Sequence, residues 1–196
     1  MKHASPSHCV YMHGKQNIRA VVHVNYFLVT GEAPELEWLE IESKQVLSIK
    51  SEEIGAGPRC AKEVKFLNRT VRWTSTGLEI EGDLKHVGIL MSEWGMAQSK
   101  VASTPGSKAP KPEEQIKEED KPEMEPTEAT KFRRGVARVV YMAQDRLDLG
   151  YASKELAKNM ARPRLGDEVA LKRTIRYLKG RPRGVYIYPW QDPLWQ

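Results

Sequence analysis

The side chains with the clearest chemical potential in this sequence lie between two apolar runs. His23, Asn25 and Tyr26 separate the alternating run at 18–24 from the run FLVTG at 27–31. Asn suits a turn because it tolerates left-handed dihedrals, whereas Tyr suits a strand. We therefore predict a hairpin with Asn25 in its turn. One neutral imidazole and one amide make a poor site for a divalent cation, so we expect no metal there.

A second group of metal-binding residue types lies near the N-terminus and comprises His3, His8, Cys9 and His13. Their spacing matches no zinc motif, so we expect solvated side chains. Two cysteines provide no disulfide framework and indicate a reducing compartment. The N-terminus lacks the apolar stretch of a secretory signal, and no apolar run is long enough to span a membrane. We expect an intracellular protein, cytoplasmic or nuclear.

Positive charge is concentrated near the C-terminus. The formal net charge is +5, but residues 131–183 alone carry 15 Lys and Arg against five Asp and Glu. Such a segment suggests a polyanion partner, most often nucleic acid. A solvated helical face explains the composition equally well, and composition alone leaves both interpretations open.

The helix predicted over 166–180 presents the best candidate surface within this segment. Its apolar residues recur at helical spacing. Beside them Lys172, Arg176 and Lys179 form a basic row at i, i+4 and i+7, with Arg173 next to it. We predict that the cations contact backbone phosphates without reading bases. Two arginines of an upstream hairpin, next to Trp73, are further candidates. The predicted nucleic-acid-binding residues are Arg69, Arg72, Lys172, Arg173, Arg176, Lys179, Arg181 and Arg183.

Apolar periodicity predicts an α+β fold with most strands in the first half. The predicted strands are 9–13, 18–24, 27–31, 64–73, 78–82 and 184–190, with Gly77 supplying a positive φ in the turn before 78–82. The predicted helices are 34–45, 132–144, 149–160, 166–180, and one that Asp83 caps and Gly95 ends.

The composition divides the chain into three parts. Residues 104–130 hold five of the 12 prolines and almost no large apolar side chains. That composition cannot offset the entropy of ordering, so we predict a disordered, acidic and proline-rich linker. It separates an α+β region at 8–103 from a basic helical region at 131–190.

Several motifs occur in an order that resembles the C-terminal part of a copia-type retrotransposon reverse transcriptase. The resemblance runs from about residue 8 to residue 190 and begins with the CVY strand, the turn His23-Val24-Asn25-Tyr26 and FLVTG. STPG follows at 103–106. RLDLGYA at 146–152 lies where the family usually reads R-P-D-I-x-Y-A, and LKRTIRYLKG at 171–180 is the most specific match.

The resemblance implies a partial polymerase palm-like antiparallel sheet with helices, followed by a small basic helical subdomain that is thumb- or connection-like. The family performs RNA-directed DNA synthesis within a mobile-element polyprotein. Its turn carries Asp-Asp, which binds Mg²⁺ for in-line displacement. This chain has Asn25 and Tyr26 there, and a tyrosine hydroxyl is not an anion at neutral pH.

The family also draws a metal-binding Asp from an upstream strand, which this chain starts too late to include, and the sequence stops where a ribonuclease H domain would begin. We therefore predict a catalytically inactive fragment without a cofactor. The alternatives are a non-enzymatic nucleic-acid-binding protein, with an RNA–DNA hybrid or DNA as partner, and a scaffold whose acidic linker recruits unknown protein partners. A further alternative is a chain that forms no stable domain alone, because a partial palm exposes sheet edges and apolar faces.

Overall fold

A computed structural model describes residues 2–3, 8–107 and 122–191. The chain forms two compact units. The first contains the described residues as far as Leu67, together with Val71–Trp73, and the second contains Asn68–Thr70 and the described residues from Thr74 onward. The predicted domain boundaries at 8–103, 104–130 and 131–190 stay predictions.

The first unit is built on an antiparallel sheet with the order β1-β2-β3-β4. Its strands are β1 (Lys2–His3), β2 (Val10–His13), β3 (Ile18–His23) and β4 (Tyr26–Thr30). Alternation in β3 buries Ile18 and Ala20 and exposes Arg19 and Val21, as a half-buried strand requires. The predicted hairpin is confirmed, and Tyr26 is the first residue of β4, paired with His23.

The turn between β3 and β4 contains Val24 and Asn25, and the positive φ falls on Val24, at 53°. A β-branched residue in this region is a backbone outlier, because its Cβ crowds the neighbouring carbonyl. The residue that tolerates such dihedrals, Asn25, does not adopt them. The turn therefore has the required length but places the wrong side chain at its strained position.

Helix α1 (Ala33–Val46) follows, and it agrees with the predicted helix at 34–45. The single strand predicted at 64–73 is wrong. The chain forms β5 (Glu63–Phe66) and β6 (Arg69–Trp73) instead. Leu67 and Asn68 have φ values of 48° and 62° and make the tight turn between them. Two consecutive positive φ values are typical of a type I′ hairpin turn, and a leucine gives no sequence signal for one.

The second unit contains β7 (Gly77–Glu81) and β8 (Val185–Pro189), which pair antiparallel. The prediction that Gly77 supplies a positive φ is wrong, because Gly95 is the glycine with that conformation in the described residues. Gly77 is instead required by close packing. A Cβ on it would lie 2.2 Å from the carbonyl oxygen of Tyr188 on the neighbouring strand.

Among its described residues the second unit also contains the helices α2 (Lys85–Glu93), α3 (Pro126–Ala143), α4 (Gly150–Lys158) and α5 (Leu165–Gly180). A 3-10 turn at Leu147–Leu149 precedes α4. The N-cap of α2 is Leu84, which makes no side-chain capping bond, and the predicted cap Asp83 lies one residue earlier, where it accepts a hydrogen bond from the Lys85 amide at 2.9 Å. Gly95 follows the helix with φ 62°.

The core of the second unit follows the predicted apolar stripes of these helices. Phe132, Val136 and Val139 of α3 are fully buried. So are the three predicted residues of α5, Leu171, Ile175 and Leu178. Val140, predicted on the same stripe of α3, is 39% exposed. The helical core therefore comes directly from periodicity in the sequence.

The mixed α+β class is confirmed by these helices and two four-stranded sheets. The predicted linker at 104–130 stays a prediction, because residues 108–121 lie outside the described residues; helix α3 begins at Pro126. No helix within the described ranges combines the length and the apolar character needed to cross a bilayer.

Candidate nucleic-acid interface

Helix α5 carries the predicted cationic row and is firmly positioned. At its N-terminus the amide of Arg164 donates to Oδ2 of Asp167 at 2.7 Å, which satisfies a backbone group next to the helix end. Its buried face packs in the core. Side chains three and four positions apart share a face of a helix, so Arg173, Arg176 and Lys179 lie along one side.

These three cations hold an irregular segment, residues 97–106, which we call the strap. Arg176 Nε donates to the carbonyl oxygen of Lys100 at 2.8 Å. Lys179 Nζ donates to the carbonyl oxygens of Ala97 and Ser99 at 2.5 and 2.8 Å. Arg173 Nη2 donates to Oγ1 of Thr104 at 2.8 Å. The STPG motif at 103–106 is therefore bound to the helix that contains the most specific motif.

The strap also packs against the helix through its backbone. Ala102 is 7% exposed, and its amide donates to the carbonyl oxygen of Arg176 at 3.3 Å. A Cβ on Gly180 would lie 2.2 Å from Cγ1 of Val101, so only glycine permits this approach. The strap thus fixes the directions of the three cations.

The acceptors on the strap are neutral, and this determines the electrostatics of the surface. A carbonyl or hydroxyl oxygen takes one hydrogen bond from a guanidinium or ammonium group but does not neutralise its charge. Three positive charges therefore stay uncompensated along one side of α5 within the described residues. Lys100, an exposed strap residue that sequence reasoning did not single out, adds a fourth. We call Lys100, Arg173, Arg176 and Lys179 the cationic ridge.

The other predicted contacts differ, because most of them face carboxylates. Arg69 Nε lies 2.6 Å from Asp145 Oδ1, and Lys172 Nζ lies 2.5 Å from Glu168 Oε1. Arg183 pairs with both oxygens of Glu81, at 2.6 and 2.9 Å. In the first unit, Arg72 Nε lies 2.6 Å from Glu63 Oε2. These four cations are already neutralised locally.

Arg181, the last of the predicted set, pairs with no carboxylate in the part of the chain that the structure describes. It is exposed, and its guanidinium lies over the ring of Tyr177 with 5.7 Å to the centroid. The negative face of an aromatic ring attracts a cation but carries no net charge. Arg181 therefore extends the charge of the cationic ridge beyond the end of α5.

A partly buried ion network lies under this end of the helix, and sequence reasoning missed it. Arg146, 8% exposed, donates to both oxygens of Asp148 at 2.9 and 2.7 Å. Its Nη1 also donates to the carbonyl oxygen of Pro182 at 3.2 Å. The hydroxyl of Tyr177 donates to Asp148 Oδ2 at 2.7 Å. Hydrogen bonds from Arg146, and then from Tyr177, lower the pKa of the Asp148 carboxyl.

The network gives a structural role to the first and third residues of the RLDLGYA motif. Arg146 and Asp148 are separated by one residue, and their bidentate pair closes the 3-10 turn that leads into α4. A depression of about 490 Å³ lies above them and is also lined by Arg181 and Gly184. The sequence could have indicated this pair, because an arginine and an aspartate separated by one residue are close enough to form a bidentate pair.

The turn at His23, Val24, Asn25 and Tyr26 offers no anionic oxygen. His23 and Tyr26 face each other across β3 and β4, and Tyr26 makes an edge-on ring contact with Phe66 at 6.2 Å between centroids. Mg²⁺ requires hard, preferably anionic oxygen ligands. The residues of this turn therefore do not fit the metal that the resemblance implies.

The predicted cluster near the N-terminus lies only partly within the described side chains, since that of His3 falls outside them. Across the described residues, no group of three or more His, Cys, Asp or Glu could hold a metal ion. Neither Cys9 nor Cys60 forms a disulfide bond within the described residues.

Comparison with known proteins shows a similarity to a transposon polyprotein. The chain is 28% identical over 180 residues to the Retrovirus-related Pol polyprotein from transposon RE1 of Arabidopsis thaliana. The aligned region covers 91% of this chain and 11% of that polyprotein. No protein-family model matches the chain, and no solved structure matches it. The similarity supports a segment related to the Pol polyprotein of a mobile element.

Proposed function

We propose that this chain is a segment of a copia-type reverse transcriptase that has lost polymerase chemistry. The observation that carries the proposal is the similarity to a transposon Pol polyprotein along 91% of the chain. The ordered motifs, from the CVY strand to LKRTIRYLKG, support the finer assignment to the copia-type polymerase region.

Loss of catalysis follows from the chemistry of the turn between β3 and β4. Nucleotidyl transfer by two metal ions needs carboxylates to hold the ions against the phosphates. Asn25 supplies a neutral carbonyl oxygen and Tyr26 a phenol hydroxyl, and neither side chain is a carboxylate. We assign no catalytic step and no metal to these residues.

Primer extension tests this part of the proposal. The purified chain is incubated with a primed RNA template, deoxynucleotides and Mg²⁺, beside an active reverse transcriptase as positive control. We expect no extension by the chain. Extension that the double substitution Asn25→Ala, Tyr26→Ala abolishes would contradict the proposal, because it would place activity at this turn.

A second candidate function is sequence-independent binding of nucleic acid, and the cationic ridge favours it. Arg173, Arg176 and Lys179 have neutral partners on the strap, so their charges are available to phosphates. Binding through such charges releases counterions, and the affinity then falls steeply with salt. The ion-paired residues Arg69, Arg72, Lys172 and Arg183 contribute less, because a phosphate must compete with their carboxylates.

A further inference from the structure

The first unit leaves an uncharged strand at the edge of its sheet. Strand β4 is the last in the order β1-β2-β3-β4, and no described strand pairs with its outer side. Its sequence YFLVT contains no charged residue and no proline. Lysine, proline and very short strands are the usual protections of a sheet edge. Strand β4 lacks the first two over five residues.

Three consecutive apolar side chains of this strand are exposed. Tyr26 is 56% exposed, Phe27 50% and Leu28 39%. The buried apolar core of the first unit, in contrast, consists of Ile18, Ala20 and Val71 among the described residues. The unit therefore buries little on its own and presents apolar side chains next to unpaired backbone groups.

We infer that β4 pairs antiparallel with β4 of a second copy of this chain, with the two-fold axis at Leu28. In that register Leu28 faces its own counterpart, and Tyr26 faces Thr30. No charges meet across the axis, because the strand has none. An isologous interface of this kind closes on itself, so the product is a dimer and not a fibre.

The neighbouring strands make this register self-complementary. Val10 pairs with Val21, and Val21 pairs with Leu28, so these side chains form one row on a face of the sheet. In the dimer the row continues from Leu28 into the Leu28, Val21 and Val10 of the second copy. The pairing thus joins two short apolar rows into one that crosses both sheets.

Sedimentation equilibrium of the full chain at several concentrations tests the dimer. We expect a monomer–dimer equilibrium for the natural sequence. Leu28→Lys and Leu28→Glu each place like charges opposite one another at the axis, which destabilises the pair. Each variant alone should dimerise about tenfold more weakly or not at all. An equimolar mixture of the two should recover dimer, since the opposed charges are then complementary.

The mixture separates loss of the interface from loss of folding, because two unfolded variants would not rescue each other. Val46→Lys serves as a control, since Val46 is an exposed apolar residue of α1 at 81% exposure and should leave the dimer unchanged. A monomeric natural chain, a dimer that persists in Leu28→Lys, or a mixture that stays monomeric would each overturn the inference. The inference is independent of the proposed polymerase ancestry.

Discussion

The hydroxyl of Tyr177 donates a hydrogen bond to Oδ2 of Asp148 over 2.7 Å and thereby ties helix α5 to the 3-10 turn before α4. Asp148 is also held in a bidentate pair by Arg146. Gly184 packs directly on this pair, because a Cβ on it would lie 2.0 Å from Cδ of Arg146. The helical unit is thus organised around an ionic group as well as an apolar core.

Removing the Tyr177 hydroxyl should destabilise the protein. Tyr177 is 3% exposed, and a hydrogen bond to a charged partner contributes about 1.5 to 3 kcal/mol. We expect Tyr177→Phe to lower the free energy of unfolding in urea by about 1.5 kcal/mol. Tyr188→Phe is the matched control, because Tyr188 is 54% exposed and should show little change. Equal effects of the two substitutions would contradict the role of the bond.

The same carboxylate should produce an acid-sensitive stability. Arg146, followed by Tyr177, lowers the pKa of Asp148 in the folded protein. A depressed folded pKa means that the stabilisation is present above the unfolded value, about 3.9, and is lost as the pH falls through the folded value. Urea unfolding from neutral pH to about pH 3 should show this loss. Asp148→Asn should be less stable near neutral pH and should lose less stability on acidification; an unchanged pH profile would exclude Asp148 as the source.

Two helical glycines should respond to alanine in opposite directions. Gly88 of α2 is exposed, and a Cβ on it would meet nothing within 4 Å. Gly88→Ala should therefore raise the unfolding free energy by about 0.5 to 1 kcal/mol. Gly135 of α3 is buried, and a Cβ there would lie 2.8 Å from Cδ2 of Leu171. Gly135→Ala should lower it by about 1 to 3 kcal/mol. Thermal or urea unfolding measures both changes in unfolding free energy. If the two substitutions changed it in the same direction, the close packing of Gly135 in α3 would be contradicted.

The strained turn of the first unit gives a stabilising substitution. Val24 has φ 53° and is 79% exposed, so replacing it loses little packing. Val24→Gly should stabilise the protein by about 1 kcal/mol, because glycine adopts this conformation without a steric cost. Val24→Ala keeps the Cβ and should recover less. If Val24→Gly unfolded at a lower urea concentration than the natural chain, the claim that Val24 is strained would be contradicted.

Sequence periodicity predicts the helical unit well and the sheets less well, for physical reasons. The stripe of Leu171, Ile175 and Leu178 repeats at helical spacing and is buried as expected. The turn at Leu67 and Asn68 carries no glycine, and its first residue is a leucine, which does not indicate a positive φ, so the two strands are predicted as one. The turn role predicted for Gly77 fails because this glycine serves a close contact with Tyr188 that arises only from strand pairing.

For the candidate interface, sequence finds the cations but not their partners. Lys172 and Arg173 are neighbours in the chain, yet Lys172 pairs with Glu168 one turn away, whereas Arg173 reaches Thr104 of the strap. A helical projection indicates the first contact. The contact between Arg173 and Thr104 depends on the path by which residues 97–106 come to lie against α5. The local sequence does not determine that path.

The most direct test of the account is the salt dependence of binding to a fluorescently labelled RNA–DNA hybrid, measured by anisotropy. The ridge variant carries Arg173→Gln, Arg176→Gln and Lys179→Gln, where glutamine keeps a donor for the strap. The control variant, Lys85→Gln, Lys158→Gln and Lys172→Gln, removes three ion-paired lysines of the same unit and changes the net charge equally. Circular dichroism verifies that all three proteins are folded.

We predict that the natural chain and the control variant bind with similar, steep salt dependence. The ridge variant should bind more weakly, and its slope of log affinity against log salt should be smaller by about 0.9 for each phosphate that the variant no longer neutralises. Equal weakening in both variants would mean that overall charge and not the cationic ridge drives binding. Absence of binding by the folded natural chain at low salt would contradict the nucleic-acid interface altogether.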